Sequence, residues 1–232
     1  FSIYYFDSLF LQSAAFFLFF LIISTTISLP ISYYSVFTIE EKYGFNKTTK
    51  ITFLKDKIKG LLMSLIIGGF ILFVSIQIYI LFGANFWLWL WLFLSVFLIL
   101  TNMFYTTLIV PIFNKLSPLE EGSLKNKIEE YSKKIGYSLD KIFVIDGSKR
   151  SSKANAFFSG LGPKKTIALF DTLIDKHEED ELVAVLAHEV GHYKKNHIKQ
   201  GLLLSVLQVG IICYVLQPVS YTHLRAHETR FY

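Results

Sequence analysis

Residues 61–110 read LLMSLIIGGFILFVSIQIYILFGANFWLWLWLFLSVFLILTNMFYTTLIV, and no Asp, Glu, Lys, Arg or His interrupts the chain from Gly60 to Asn114. About 20 apolar residues in a helix cross a hydrocarbon core, so this stretch holds two spans, about 61–82 and 86–110. Gly83-Ala84-Asn85 supplies the short turn between them. Trp87, Trp89 and Trp91 follow that turn at once, where an interfacial aromatic belt is expected. Outward toward the N terminus, Ser8 to Ile39 is equally free of charge and holds a span at about 9–29, stopped by Pro30. Outward toward the C terminus, residues 201–218 form a shorter apolar stretch that ends at Pro218 and reads as a truncated span. A hydrophobic content of 53% and a mean hydropathy of +0.46 agree, and they exclude an ordinary soluble protein.

The charges lie between these segments and set an orientation. The loop 40–59 carries Lys42, Lys47, Lys50, Lys55, Lys57 and Lys59, and residues 115–199 are again rich in Lys and Arg. The Gly83 turn carries none. The positive-inside bias therefore predicts both basic segments in the cytoplasm and the turn on the other side. The net charge of +5 reads as a topology signal, because the lysines are interleaved with acids and no aromatic-basic motif accompanies them; nucleic acid is not expected as a partner. Cys213, the single cysteine, excludes an internal disulfide and is expected to pack in the last span. The chain opens on Phe1 rather than Met, so it is expected to begin within a longer protein or after processing. The first span does not read as a signal peptide, since it lacks a basic start and a small-residue cleavage site.

Beyond the spans stands His188-Glu189-Val190-Gly191-His192. Two histidines four residues apart share one face of a helix, about a turn apart, and both imidazoles can reach one Zn²⁺. A glutamate beside the first can take a proton from water as it attacks a peptide carbonyl. The expected roles are thus His188 and His192 as metal ligands and Glu189 as catalytic base, with zinc as cofactor. Glu178, Glu179, Asp180 and Glu181 crowd the N-terminal end, where the helix dipole favours acids. The run Leu182 to Ala187 asks for burial, and a buried zinc helix over 178–197 is predicted. His197, five residues past His192, is badly offset for a third ligand on that face and is expected to be structural or solvent-facing.

Residues 111–200 read as a compact α+β unit. Helical spacing covers Ser123 to Ile135, with Gly136 as its stop. Lys141 to Asp146 and Lys165 to Phe170 read as strands. Asn155-Ala156-Phe157-Phe158 reads as an extended segment isolated by the polar loop 149–153 and by Gly160, Gly162 and Pro163. A peptidase needs a free strand edge to hold an extended substrate by its backbone, and Asn155, Ala156 and Phe157 are the expected substrate-binding residues.

These stretches carry a resemblance. The chain resembles the Ste24-type CAAX prenyl proteases, membrane-embedded zinc metalloendopeptidases of peptidase family M48, in order from Glu40 to His197. The matching segments include Glu40-Glu41-Lys42-Tyr43-Gly44-Phe45-Asn46-Lys47, Phe113-Asn114-Lys115, Asp146-Gly147-Ser148-Lys149-Arg150-Ser151-Ser152, Asn155 to Phe158, Leu169 to Leu173 and Ala184 to His192. The resemblance implies a multi-span helical membrane protein with a small zinc-peptidase unit on the cytoplasmic side, in an endoplasmic reticulum or bacterial inner membrane. It implies hydrolysis of peptide bonds near the C terminus of prenylated proteins, with a protein or peptide substrate and the lipid bilayer as partners. Alternatives within that fold are a quality-control membrane peptidase and a catalytically inactive scaffold. Two departures stand out. Lys153 occupies a position where relatives usually carry His. Relatives also supply a third zinc ligand from a downstream Glu-x-x-x-Asp, whereas the only glutamate here after His192 is Glu228, in an unlike context.

The expected organisation is therefore mainly α: residues 1–110 as membrane helices, 111–200 as the zinc-peptidase unit, 201–218 as a truncated span and 219–232 as a non-native tail. Residues 221–230 resemble a translated adaptor sequence, which puts the last native residue near Pro218. His223 and His227 have metal-pair spacing but no apolar scaffold, so no second metal site is expected there. As a fragment without the third ligand, the chain is expected to be a poor enzyme by itself.

Overall fold

The computed structural model describes residues 8–136, 141–159 and 166–228. In chain order the helices are α1 (Leu9–Tyr34), α2 (Lys50–Phe82), α3 (Phe86–Phe104), α4 (Val110–Phe113), α5 (Ser123–Lys134), α6 (Asp171–Ile174), α7 (Glu179–Lys194) and α8 (His197–Glu228). The strands are β1 (Leu116–Pro118), β2 (Lys141–Ile145), β3 (Ala156–Ser159) and β4 (Thr166–Phe170). Two units emerge: residues 1–32, 60–98 and 201–232 form one, and residues 33–59 and 99–200 the other. Gly160, Gly162, Pro163 and Lys165 lie outside the described residues.

The first unit is helical, and its helices meet through aromatic side chains. Gly83 takes φ +50°, a conformation that costs a Cβ-bearing residue energy, and opens the turn Gly83–Asn85. Across that turn Phe82 stacks on Trp89 at 4.4 Å, and Tyr79 meets Phe86 at 5.5 Å. Phe70 reaches Phe93 at 6.1 Å, so α2 and α3 form an antiparallel hairpin. α8 packs antiparallel on α3: Trp91 Nε1 donates to the Val206 carbonyl at 2.8 Å, Trp87 meets Tyr214 at 5.3 Å, and Gln217 Nε2 donates to the Ala84 carbonyl at 3.0 Å. Gly210 makes that approach possible, since a Cβ there would lie 2.9 Å from Trp91 Nε1. Trp87 and Trp91 thus contact a neighbouring helix, while Trp89 stacks on Phe82. Cys213 is buried, as expected of a packing residue.

Among the described residues three helical runs, 10–40, 50–113 and 197–218, are long and apolar enough to cross a membrane, and the second of them is folded into the hairpin. Their outer faces leave Ile66, Leu81 and Leu204 largely exposed, which only a hydrocarbon solvent favours. The chain is an integral membrane protein. Neither proline stops its helix. α1 runs through Pro30 to Tyr34 and continues as a π-helical turn, Ser35–Glu40, and α8 runs through Pro218. A helix in an apolar medium has no water to receive freed backbone groups, so breaking it costs more than losing one N–H.

In the second unit a four-stranded sheet has the order β1-β2-β4-β3. β2 and β4 are parallel, and β1 and β3 flank them antiparallel. Both faces of β4 are covered, which accounts for its unbroken apolar run Thr166-Ile167-Ala168-Leu169-Phe170. Ile167 and Leu169 join Ile128 of α5 and Leu182, Leu186 and Val190 of α7 in one core, while Ala168 packs with Ile145 and Val110 on the opposite face. The sheet places β3 at an edge.

The loop 147–153 is fastened from two directions. Asp171 accepts from the Ser148 backbone N–H at 2.8 Å and from its hydroxyl. Arg150 grips Asp56 with two nitrogens, Nε at 2.7 Å and Nη2 at 2.9 Å, and also donates to Asn114 Oδ1 and the Phe113 carbonyl. Its own carbonyl accepts from Lys47 N–H and Thr48 Oγ1, both at 3.0 Å, and Asn46 bridges to Ser151. This ties the lysine-rich loop to the sheet unit. Lys153, the departure from the family pattern, pairs with Glu40 at 2.7 Å and lies over the Phe45 ring.

Candidate metal centre and substrate edge

The rotation of α7 about its axis decides where the motif points. Lys127 of α5 bridges Glu179 at 3.0 Å and Asp180 at 2.8 Å, and Ser123 donates to Glu179. At the other end Lys194 Nζ donates to the Ile135 carbonyl at 3.1 Å, so α5 and α7 lie side by side and parallel. The Ser123 hydroxyl and then Lys127 hold the Glu179 carboxyl below the usual carboxylate range. The Asp180 and Glu179 hydrogen bonds in turn raise the Lys127 ammonium.

Leu182, Leu186 and Val190 form the buried stripe, each at most 2% exposed. His188 and His192 come two residues after Leu186 and Val190, about 200° round the helix, and therefore stand on the outer face. Both are exposed, which corrects the expectation of a buried zinc helix: burial fixes one face, and the histidines occupy the other. The helix also ends at Lys194 rather than at residue 197.

The two rings converge. Their centroids are 4.8 Å apart, and the Nε2 atoms approach to 3.1 Å. Two nitrogens on one tetrahedral zinc, with bonds of about 2.0–2.1 Å, stand about 3.3 Å apart, so the pair fits as two ligands of such an ion. Among the described residues no third His, Cys, Asp or Glu completes a metal-holding group. Glu189 is half-buried beside the pair, and among the described residues its carboxylate has no hydrogen-bonded or ionic partner.

The spacing of His197 did not announce its contact with His192. Asn196 adopts φ +58°, ending one helix and starting the next, and the chain folds back so that His197 Nδ1 lies 2.8 Å from His192 Nδ1. The available signal was Asn196 itself, since Asn is among the few residues that enter the left-handed region readily.

Asn155, Ala156 and Phe157 fall at the start of the edge strand, and α7 packs against β3. Phe170 N–H donates to the Asn155 carbonyl at 3.0 Å. With Ala156 opposite Leu169, that bond makes 155:170, 157:168 and 159:166 the hydrogen-bonded pairs. The backbone groups of Ala156 and Phe158 then point to the free edge. The Asn155 side chain already takes the Ala156 N–H at 3.0 Å, leaving the Ala156 carbonyl and both backbone polar groups of Phe158 open among the described residues.

Two family models match in succession, one described as "CAAX prenyl protease N-terminal, five membrane helices" over residues 2–115 and one as "Peptidase family M48" over residues 118–230. CAAX prenyl protease 1 of Saccharomyces cerevisiae is 47% identical over 191 residues, covering 82% of this chain and 42% of that protein. Probable CAAX prenyl protease 1 of Schizosaccharomyces pombe is 42% identical over 198 residues, covering 83% of this chain and 40% of the relative. The crystal structure of S. mikatae Ste24p superposes with a TM-score of 0.85 at 45% identity, covering 91% of this chain and 49% of that one. The chain spans less than half the length of each of these three.

Proposed function

The chain belongs to the CAAX prenyl protease family of M48 peptidases, and from that premise we propose that it contributes the H-E-x-x-H portion of a zinc endopeptidase acting on prenylated protein C termini. The observation that carries the zinc reading is the 3.1 Å approach of His188 Nε2 and His192 Nε2 on the face of α7 turned away from the core.

His188 and His192 would hold the ion, and zinc in such a site supplies Lewis-acid chemistry, acidifying water and polarising a carbonyl. Glu189 is one residue from the first ligand with its carboxylate uncommitted. It accepts the proton released as water attacks the scissile carbonyl and delivers it to the departing amine nitrogen. The β3 edge supplies alignment. An extended peptide added alongside would donate to the Ala156 carbonyl and would both accept from and donate to the backbone of Phe158, which fixes its carbonyls in register with the helix. Asn155 shapes that edge by occupying the Ala156 N–H. The positive-inside rule supports placing the lysine-rich loop, and with it the proteolytic unit, on the cytoplasmic side of the bilayer.

The test is Glu189→Gln in the full-length protein. Zinc content should stay unchanged while cleavage of a farnesylated peptide falls by several orders of magnitude, since the amide cannot act as a base. Loss of zinc together with activity would make Glu189 a ligand and overturn these roles.

A further inference from the structure

Resting on the zinc reading above, we infer that His197 is a positioning residue: it accepts the Nδ1 proton of His192 and thereby holds His192 in the tautomer that can bind metal. A neutral imidazole has one N–H and one lone pair, on opposite nitrogens. His192 faces a different histidine with each nitrogen, His188 through Nε2 at 3.1 Å and His197 through Nδ1 at 2.8 Å. If His197 Nδ1 carries a proton and donates it, the His192 proton sits on Nε2 and points at the spot where the ion would lie. If His197 is protonated on Nε2 instead, its Nδ1 accepts from His192 Nδ1–H, and the His192 Nε2 lone pair faces the metal. Ligating histidines commonly have the second nitrogen anchored in this way, usually by a carboxylate or carbonyl. Here a third histidine takes the place of that acceptor.

His197 is not itself a ligand to the same ion, because its nitrogen meets the far side of the His192 ring. On an unbroken helix it would stand about 140° round from His192 and could not touch that nitrogen. The left-handed Asn196 starts α8 and brings the ring back. Among the described residues His188 Nδ1 has no such anchor, so the orienting effect falls on one ligand only.

The full-length protein is compared with His197→Phe, which keeps the ring volume but cannot accept, and with His197→Asn, whose side-chain oxygen can occupy the Nδ1 position. Zinc affinity is read by competition with a chromophoric chelator, and the His192 tautomer by ¹⁵N NMR of histidine-labelled protein. His197→Phe should weaken zinc binding about tenfold, the lower end for loss of such a partner because both rings are exposed, and His197→Asn should restore it to within about twofold. In the zinc-loaded parent and in His197→Asn the His192 proton should be on Nδ1 in a hydrogen-bonded shift range, and that signature should be lost in His197→Phe. Should His197→Phe fail to fold, His197→Gln, whose amide reaches the Nε2 position instead, carries the same expectation of weakened zinc. Equal zinc affinity in the parent and the non-accepting variants would overturn the positioning role while leaving the zinc site intact. A parent that retains no zinc would overturn the underlying functional reading instead.

Discussion

Replacing Arg150 by Met should cost about 2–3 kcal/mol, because one guanidinium closes four contacts at once. Two of its bonds reach Asp56 in a two-pronged grip at 2.7 and 2.9 Å, and the others reach Asn114 at 2.8 Å and the Phe113 carbonyl at 2.6 Å. A fully exposed ion pair contributes about 0–1 kcal/mol, and breaking a fully buried one costs about 3–5 kcal/mol. Arg150 and Asp56 are 22% and 23% exposed, which places the pair between those limits and leaves Asp56 half-buried without a counter-charge in the variant. At about 2–4 °C per kcal/mol for a chain of this size, Tm should fall by about 4–12 °C in thermal unfolding of the detergent-solubilised protein. A double-mutant cycle with Asp56→Asn should return a coupling of about 1–2 kcal/mol. If the two substitutions add independently to within about 0.5 kcal/mol, the pair is not the fastener described above.

Other substitutions probe separate parts of the molecule. A Cβ at Gly147 would lie 2.2 Å from Phe170 Cδ1, so Gly147→Ala should destabilise by about 1–3 kcal/mol in chemical unfolding, and a parent-like midpoint would show that Phe170 yields freely. Phe158→Pro removes an outward N–H while sparing the bonds to β4, so it should raise KM for a peptide about two- to tenfold over Phe158→Ala with folding retained; equal KM values would argue against edge binding. The lowered Glu179 carboxyl contributes stability above its ordinary titration range, and that contribution is lost as pH falls through the lowered value. Stability curves for Ser123→Ala and the parent should accordingly separate near neutrality and converge in acid. A constant offset at every pH would mean that Ser123 acts by packing alone.

What could be read from the chain itself was whatever has a local period or a local break. Uncharged length located the hairpin and its Gly83 turn. Helical spacing with Gly136 located α5 and short apolar runs located the strands to within a residue or two, and the four-residue spacing of His188 and His192 survives as two converging nitrogens. Local patterns failed where the surroundings decide. Pro30 and Pro218 do not break their helices, because an apolar medium offers the backbone no alternative partner. β1 is three residues ending in proline, and it exists only because β2 is there to pair with it. The Arg150 grip joins residues ninety-four positions apart, and no pattern in either segment announces the other. The contact of His197 with His192 had no local signal but Asn196, which interrupts the helix along which the offset is counted.

That ninety-four-residue separation also sets an order of events during synthesis. Asp56 leaves the ribosome well before Arg150, and at about 5–20 residues per second the interval is about 5–20 s. Throughout it, Glu40 lacks Lys153, Asp56 lacks Arg150, and the loop is a run of lysines with no sheet to lean on. Both helices of the hairpin are completed in that interval. The loop's charge is therefore free to act on the choice of hairpin orientation while that choice is being made, and it is captured by the folded unit only afterward. One short segment is thus available twice, first with its charges free during insertion and later as a structural clasp.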